Sequence, residues 1–308
     1  MGRFNFKTKM VVVTADDFGY NDEICQGIEL GFTQGLITEA SLIATGTSRD
    51  LAIQIAKRNP GLGVGCHLTL QEFQPLTSHP FVASLQYKSN FSLFLRIAFA
   101  SRKQLSAVVT EMHQQIEWIR KQEINISHLN GHNHFHMHFR LLKRLQALAK
   151  HHQIHWVRIT EPGFRHQLRR TRLLDKILIG TTSFIANKHF GFRTTNTDEF
   201  FGFGVSGNLK REQLLSYLST CKPGVSEIMC HVGTSNEVPM LVGYQWADEL
   251  EVFTSMSKIE AENAFDVTIA NFSLCSKLKD ESNIEAGTST DSELSVSKFL
   301  KSITTESY

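Results

Sequence analysis

Short runs of β-branched and apolar residues alternate along the chain with longer stretches whose apolar positions recur at helical spacing. Lys9–Thr14, Glu39–Ala44, Gly63–Leu68, Ile124–Leu129, His155–Thr160, Ser226–Val232 and Asp266–Phe272 read as buried strands. Between them 22–34, 48–58, 103–122, 139–152, 171–188, 209–220 and 243–257 read as helices. Strand and helix in alternation predict parallel β/α units in one sheet. About seven strands suit a distorted or incomplete (β/α) barrel of the α/β class, with a doubly wound open sheet as the second arrangement. A barrel gathers its functional side chains at the carboxyl ends of the strands.

Two segments break the rhythm. Residues 73–102 form an insertion after the third strand, expected over the carboxyl end of the barrel as a lid or substrate wall; their apolar run also suits contact with a membrane surface. Residues 276–308 are polar, rich in Ser and Thr, and read as a disordered tail beyond a single domain at 1–275. With 32 Lys+Arg against 30 Asp+Glu the formal charge is +2, which argues against a nucleic-acid partner. No run approaches the ~18 apolar residues of a transmembrane segment. The start of the chain lacks the pattern of a signal peptide. Cys25, Cys66, Cys221, Cys230 and Cys275 are an odd number without a CxxC pair, so a reducing, cytoplasmic setting is expected. Oligomeric state leaves no trace in the sequence.

Histidine is where composition turns into chemistry: five of the 14 fall between residues 128 and 138. In an extended chain His132, His134 and His136 would share a face; in a helical turn His132 and His136 would. Either geometry presents imidazoles to a metal, and histidine with carboxylate suits zinc or another first-row divalent ion. Asp16 and Asp17 follow the first strand, where adjacent carboxylates are costly to bury without a cation or proton. A solvated turn with Asn21 or Asp22 capping the next helix is the plainer account. His67 ends the third strand and His231 a late one. Arg158 either reaches the same region or pairs with Glu161. Phe73, Phe91, Phe94, Phe200, Phe201 and Phe203 would serve as sugar-stacking faces or as core.

In order and approximate spacing, TADDFG, GCHLTL, HLNGHNHFHMH and EIMCHVG resemble the YdjC-like carbohydrate deacetylases, which include chitooligosaccharide deacetylases, over roughly residues 9–273. By analogy the site is also similar to that of the polysaccharide deacetylases, with their Asp-Asp and His-x-x-x-His elements. The resemblance implies a distorted (β/α) barrel and metal-dependent removal of an N-acetyl group from an amino sugar, an oligosaccharide or a lipid-linked sugar. It implies Asp16 as proton acceptor, Asp17, His67 and His132 as ligands of one divalent ion (Mg²⁺ or Zn²⁺), and His231 as general acid. Asn130, His134, His136 and Arg158 are expected around the ligands or the substrate. Asn130 stands where the family usually carries Asp, and Val232 where Pro commonly follows the last histidine. Two other readings compete: a barrel-type metal phosphoesterase, and a metal- or sugar-binding homologue without activity.

Overall fold

The structure is a computed structural model that describes residues 8–160, 197–237 and 243–284. Among the described residues, eight parallel strands form one curled sheet. They are β1 (Lys9–Phe18), β2 (Glu39–Leu42), β3 (Gly63–Leu68), β4 (Ile126–Gly131), β5 (Trp156–Val157), β6 (Glu199–Phe201), β7 (Gly224–Cys230) and β8 (Thr268–Ile269). Their order is β5-β4-β3-β2-β1-β7-β6, with β8 also paired to β1, and every pairing is parallel. The incomplete barrel is therefore what folds. Among the described residues β5 and β6 each have one strand neighbour, so the hydrogen-bonded ladder stays open between them. Of the eight strands, β6 was not expected from the sequence; three residues long, it is too short to show a period.

The outer layer contains α1 (Asp22–Gln34), α2 (Arg49–Arg58), α3 (Pro80–Ala83), α4 (Asn90–Ala98), α5 (Arg102–Lys121), α6 (Leu142–His151), α7 (Arg211–Thr220), α8 (Trp246–Thr254), α9 (Lys258–Phe265) and α10 (Phe272–Ile284). Local chemistry sets several boundaries. Asn21 accepts from the Ile24 N–H and starts α1. Ser101 and Gln104 close a reciprocal capping box on α5. The helix expected at 171–188 lies outside the described residues. The expected tail boundary at 276 falls inside α10, where Ser276 accepts the Trp156 indole N–H at 2.8 Å; residues 285–308 lie outside the described ones.

Period-two alternation on β1 separates two environments. Val11, Val13 and Ala15 join the large core under the helices, whereas Met10 and Val12 turn into the barrel with Trp156, Val225, Ala270 and Phe272. Above that apolar plug the interior becomes polar: Glu39, Ser41, His128, Glu227, Arg158 and Asp16 are all at most 3% exposed. Gly65 on β3 makes room for this layer, since a Cβ there would overlap the His128 ring. The insertion is helical: α3 and α4 pack beside α5 and the 3₁₀ segment His132–Met137. Arg140 ties down the end of α4 by donating to the carbonyls of Ile97, Ala98 and Ala100 at 2.7–3.0 Å. Among the described residues no helix is long and apolar enough to cross a membrane.

Candidate active site

The two aspartates do not sit in a turn after β1; they are its last buried turn of extended chain. Register against β2 slips between Ala15 and Phe18, so β1 bulges there, and Asp17 takes a left-handed φ of 66°. The bulge breaks the alternation of the strand and sends the two neighbouring carboxylates to different partners. Among the described residues, four of the seven non-glycine residues at positive φ surround the same mouth: Asp17, Glu72, Asn133 and His134. Such conformations cost about 1–3 kcal/mol each and persist where the surroundings over-determine them.

Asp17 faces the histidines. Its Oδ1 lies 2.9 Å from His132 Nδ1 and 3.3 Å from His67 Nε2, and all three side chains are buried. One donor atom from each comes within 4.8 Å of the others. Burial alone would push the Asp17 carboxyl up, but His132 and His67, by charge and hydrogen bond, hold it well below the usual carboxylate range. His132 is the mirror case. Burial lowers it, Asp17 and Glu72 outweigh burial, and its pKa rises to about 10. Glu72 reaches His132 Nε2 at 3.2 Å, while its other oxygen is buried without a hydrogen-bond partner. A carboxylate, two imidazoles and an unsatisfied acidic oxygen fit a divalent cation as well as they fit a proton.

His67 is oriented from behind. Its Nδ1 donates to Asn130 Oδ1 at 2.6 Å, which aims Nε2 at Asp17. Asn130 also donates to Asp16 Oδ1 (3.1 Å) and Ser41 Oγ (2.8 Å). The amide at this position thus accepts from one functional group and donates to another, which a carboxylate cannot do. Asp16 Oδ1 receives Ser41 (2.9 Å) and the Arg158 Nη2 (3.0 Å) as well; among the described residues Asp16 Oδ2 receives Arg158 Nη1 alone, at 2.5 Å. Burial raises the Asp16 carboxyl, and Arg158, with His67 and His231, more than reverses this and holds it far below the usual range. Arg158 also bonds Glu227 through Nε and Nη2. Sequence offered Arg158 either this region or Glu161; its guanidinium goes to Asp16 and Glu227.

His231 enters from β7, with Nε2 3.9 Å from Asp17 Oδ2. Its ring stands edge-on to both Tyr244 and Trp246, its Nδ1 meets Ser206 Oγ at 3.3 Å, and its backbone N–H donates to Glu249. Burial lowers its pKa against the pull of Asp17 and Asp16.

The histidine-rich segment takes neither of the regular geometries considered from sequence. Left-handed Asn133 and His134 kink the 3₁₀ segment, so that only His132 joins Asp17. His136 instead donates from Nε2 to the Arg158 carbonyl at 3.0 Å, and burial brings its pKa down to about 3. His134 meets Thr160 Oγ1 at 3.0 Å and packs on Phe203. Phe200 and Phe203 are core, Phe201 stacks on Tyr217, Phe73 lies edge-on to Tyr20, and Phe94 covers His138; Phe91 alone of the six is exposed.

Sequence reasoning passed over Ser41, Glu72, Glu227 and the pair Glu39–His128. His128 Nε2 lies 3.0 Å from Ser41 Oγ, and its Nδ1 is 3.3 Å from Glu39 Oε2. A signal existed on β2: Glu39 and Ser41 alternate with Ala40 and Leu42, the period of a strand with one polar face.

Known proteins are similar to this chain over most of its length. A carbohydrate deacetylase of Vibrio parahaemolyticus is 28% identical over 254 residues, covering 82% of this chain and 90% of its own. One of Clostridium beijerinckii is 25% identical over 267 residues, covering 85% and 98%. The crystal structure of an Enterococcus faecalis V583 protein, assigned to cellobiose-phosphate cleavage, superposes with a TM-score of 0.66 at 23% identity, over 87% of this chain and 99% of that one. The family model described as YdjC-like protein matches residues 10–260, and the chain belongs to that family.

Proposed function

We propose that the protein is a metal-dependent carbohydrate deacetylase that hydrolyses the N-acetyl amide of an amino sugar or oligosaccharide and releases acetate. The observation that carries this is the separation of two adjacent carboxylates: Asp17 among imidazoles, Asp16 among hydrogen-bond donors. Family membership and the names of its relatives agree with it.

Asp17, His67 and His132 would hold the ion, with Glu72 beside them. When bound, a divalent cation supplies Lewis acidity towards water and an amide carbonyl. The chain itself does the rest. Asp16 accepts the proton of the attacking water at Oδ2, the oxygen with a single donor on it. Arg158 fixes that carboxylate in one orientation. His231, opposite, delivers a proton to the departing nitrogen, a poor leaving group otherwise. The low proton affinity that burial imposes makes it a strong acid once charged.

The test is acetate release from N-acetylglucosamine oligomers, and from a lipid-linked N-acetyl sugar, by chelator-stripped and metal-restored protein. The exposed Phe91 and Phe99 on and beside α4 are the reason to include the lipid-linked substrate. Release that depends on the metal and is lost in His132→Ala upholds the proposal. Metal uptake at Asp17 without release from any acetylated sugar would leave the inactive homologue, and hydrolysis of phosphate esters instead would leave the phosphoesterase.

A further inference from the structure

A second group of imidazoles gathers in the helical layer. His113 lies on α5, His151 ends α6, and His152 follows it. Their ring centroids are 4.9 Å (His113–His152), 4.8 Å (His151–His152) and 5.9 Å (His113–His151) apart. One nitrogen of each lies within 4.8 Å of the others. His113 Nδ1 and His152 Nε2 approach to 2.9 Å, against the ~3.3 Å that separates two nitrogens bound tetrahedrally at zinc with bonds of about 2.0–2.1 Å. His113 and His152 are buried, and His151 is partly open to solvent.

A carboxylate stands behind the cluster. His152 Nδ1 is buried with no hydrogen-bond partner, yet Glu117 Oε1 is 3.3 Å away. Glu117 stands one helical turn beyond His113. A carboxylate behind the outer nitrogen of a histidine fixes the tautomer whose inner nitrogen carries the lone pair, which is how metal-binding histidines are commonly supported. Arg120, which donates to the His152 carbonyl, adds a positive charge nearby that Glu117 offsets.

We propose that His113, His151 and His152 form a second divalent-metal site, oriented by Glu117, that takes zinc or a similar first-row ion and ties α5 to α6. It does not depend on the deacetylase reading, because none of its residues belongs to the barrel mouth. Chelator-stripped full-length protein titrated with cobalt(II) tests it by stoichiometry and visible spectrum. The Asp17→Asn/His132→Ala variant is expected to keep one equivalent with the absorption of a tetrahedral nitrogen site, and adding His151→Ala is expected to abolish it. Glu117→Gln should weaken that cobalt by about 10-fold or more. His151 is partly exposed, so its replacement reports on the site even if a His113 variant fails to fold. The proposal is overturned if the double variant binds no cobalt, or if His151→Ala leaves the cobalt affinity of the helical layer unchanged. Cobalt at the helices and none at the mouth would overturn the metal assignment above and leave this one standing.

Discussion

The barrel mouth and the helical layer each bring histidines together, yet one ring in each, His132 and His152, is driven in the opposite direction. At the mouth His132 is driven up to about 10, and in the helices His152 is driven down to about 3. Both are buried, so burial does not separate them. What differs is the charge facing the ring. Asp17 is inaccessible to water and touches His132 directly, whereas Glu117 is about one-third exposed and meets His152 at the nitrogen away from the cluster. A carboxylate inside a cluster recruits a cation or a proton; one behind it only sets a tautomer. Counting histidines along a sequence does not distinguish these cases.

The largest effect that would break this contrast lies at Asp16. Asp16→Asn should cut acetate release about 10²–10⁴-fold, the span of a lost general base, while metal uptake at Asp17 persists. Full turnover in that variant would remove Asp16 from the chemistry. Arg158→Met comes next. It leaves Asp16 and Glu227 buried without their cation, and chemical denaturation should read a loss of about 3–5 kcal/mol. A loss below about 1 kcal/mol, the range of an exposed pair, would mean that water reaches the interior.

Asn130→Asp sharpens the comparison inside the mouth. It removes the donors to Asp16 and Ser41 and sets a second carboxylate beside Asp16. Like charge raises a carboxyl pKa, so the acid limb of the pH–rate profile should move to higher pH, and an unmoved limb would separate Asn130 from the base. The smallest effect belongs to Glu249, an acid of the mouth whose proton, like that of His152, is governed by burial. Its pKa is raised from 4.5 to about 8 by desolvation, against two backbone N–H donors. The native state then holds a proton that the unfolded state has lost. The stability this gives is full below pH 4.5 and is lost as pH rises through about 8. Melting temperatures of Glu249→Gln between those limits should lack this decline; the same decline in both proteins would refute the assignment.

Seven of the eight strands were legible in the sequence, and so was the gathering of Asp16, Asp17, His67, His132 and His231 at one mouth, because most of these groups close a short apolar run. TADD, GCHL and EIMCH announce themselves as polar endings to buried strands. What stayed hidden was conformational or single. No pattern shows that Asp17 turns left-handed and so parts from Asp16. The kink at Asn133–His134 sends His132 and His136 to different partners, and a repeat of alternate histidines suggests the reverse. Glu72 is a lone polar residue whose importance depends on what lies across the barrel. The helical trio was invisible because it draws on two helices far apart in the chain.

Arg158 has a consequence for genetics. It stands just past β5, at one edge of the open ladder, and its guanidinium crosses to Asp16 on β1 and Glu227 on β7. The side chain that holds Asp16 is thus also a strut across the barrel interior, from the end of β5 to β1 and β7. Loss-of-function alleles at this codon will be depleted from any collection selected for folded protein. Suppressors of them will fall at Asp16 and Glu227, where removing a stranded carboxylate restores stability without restoring activity.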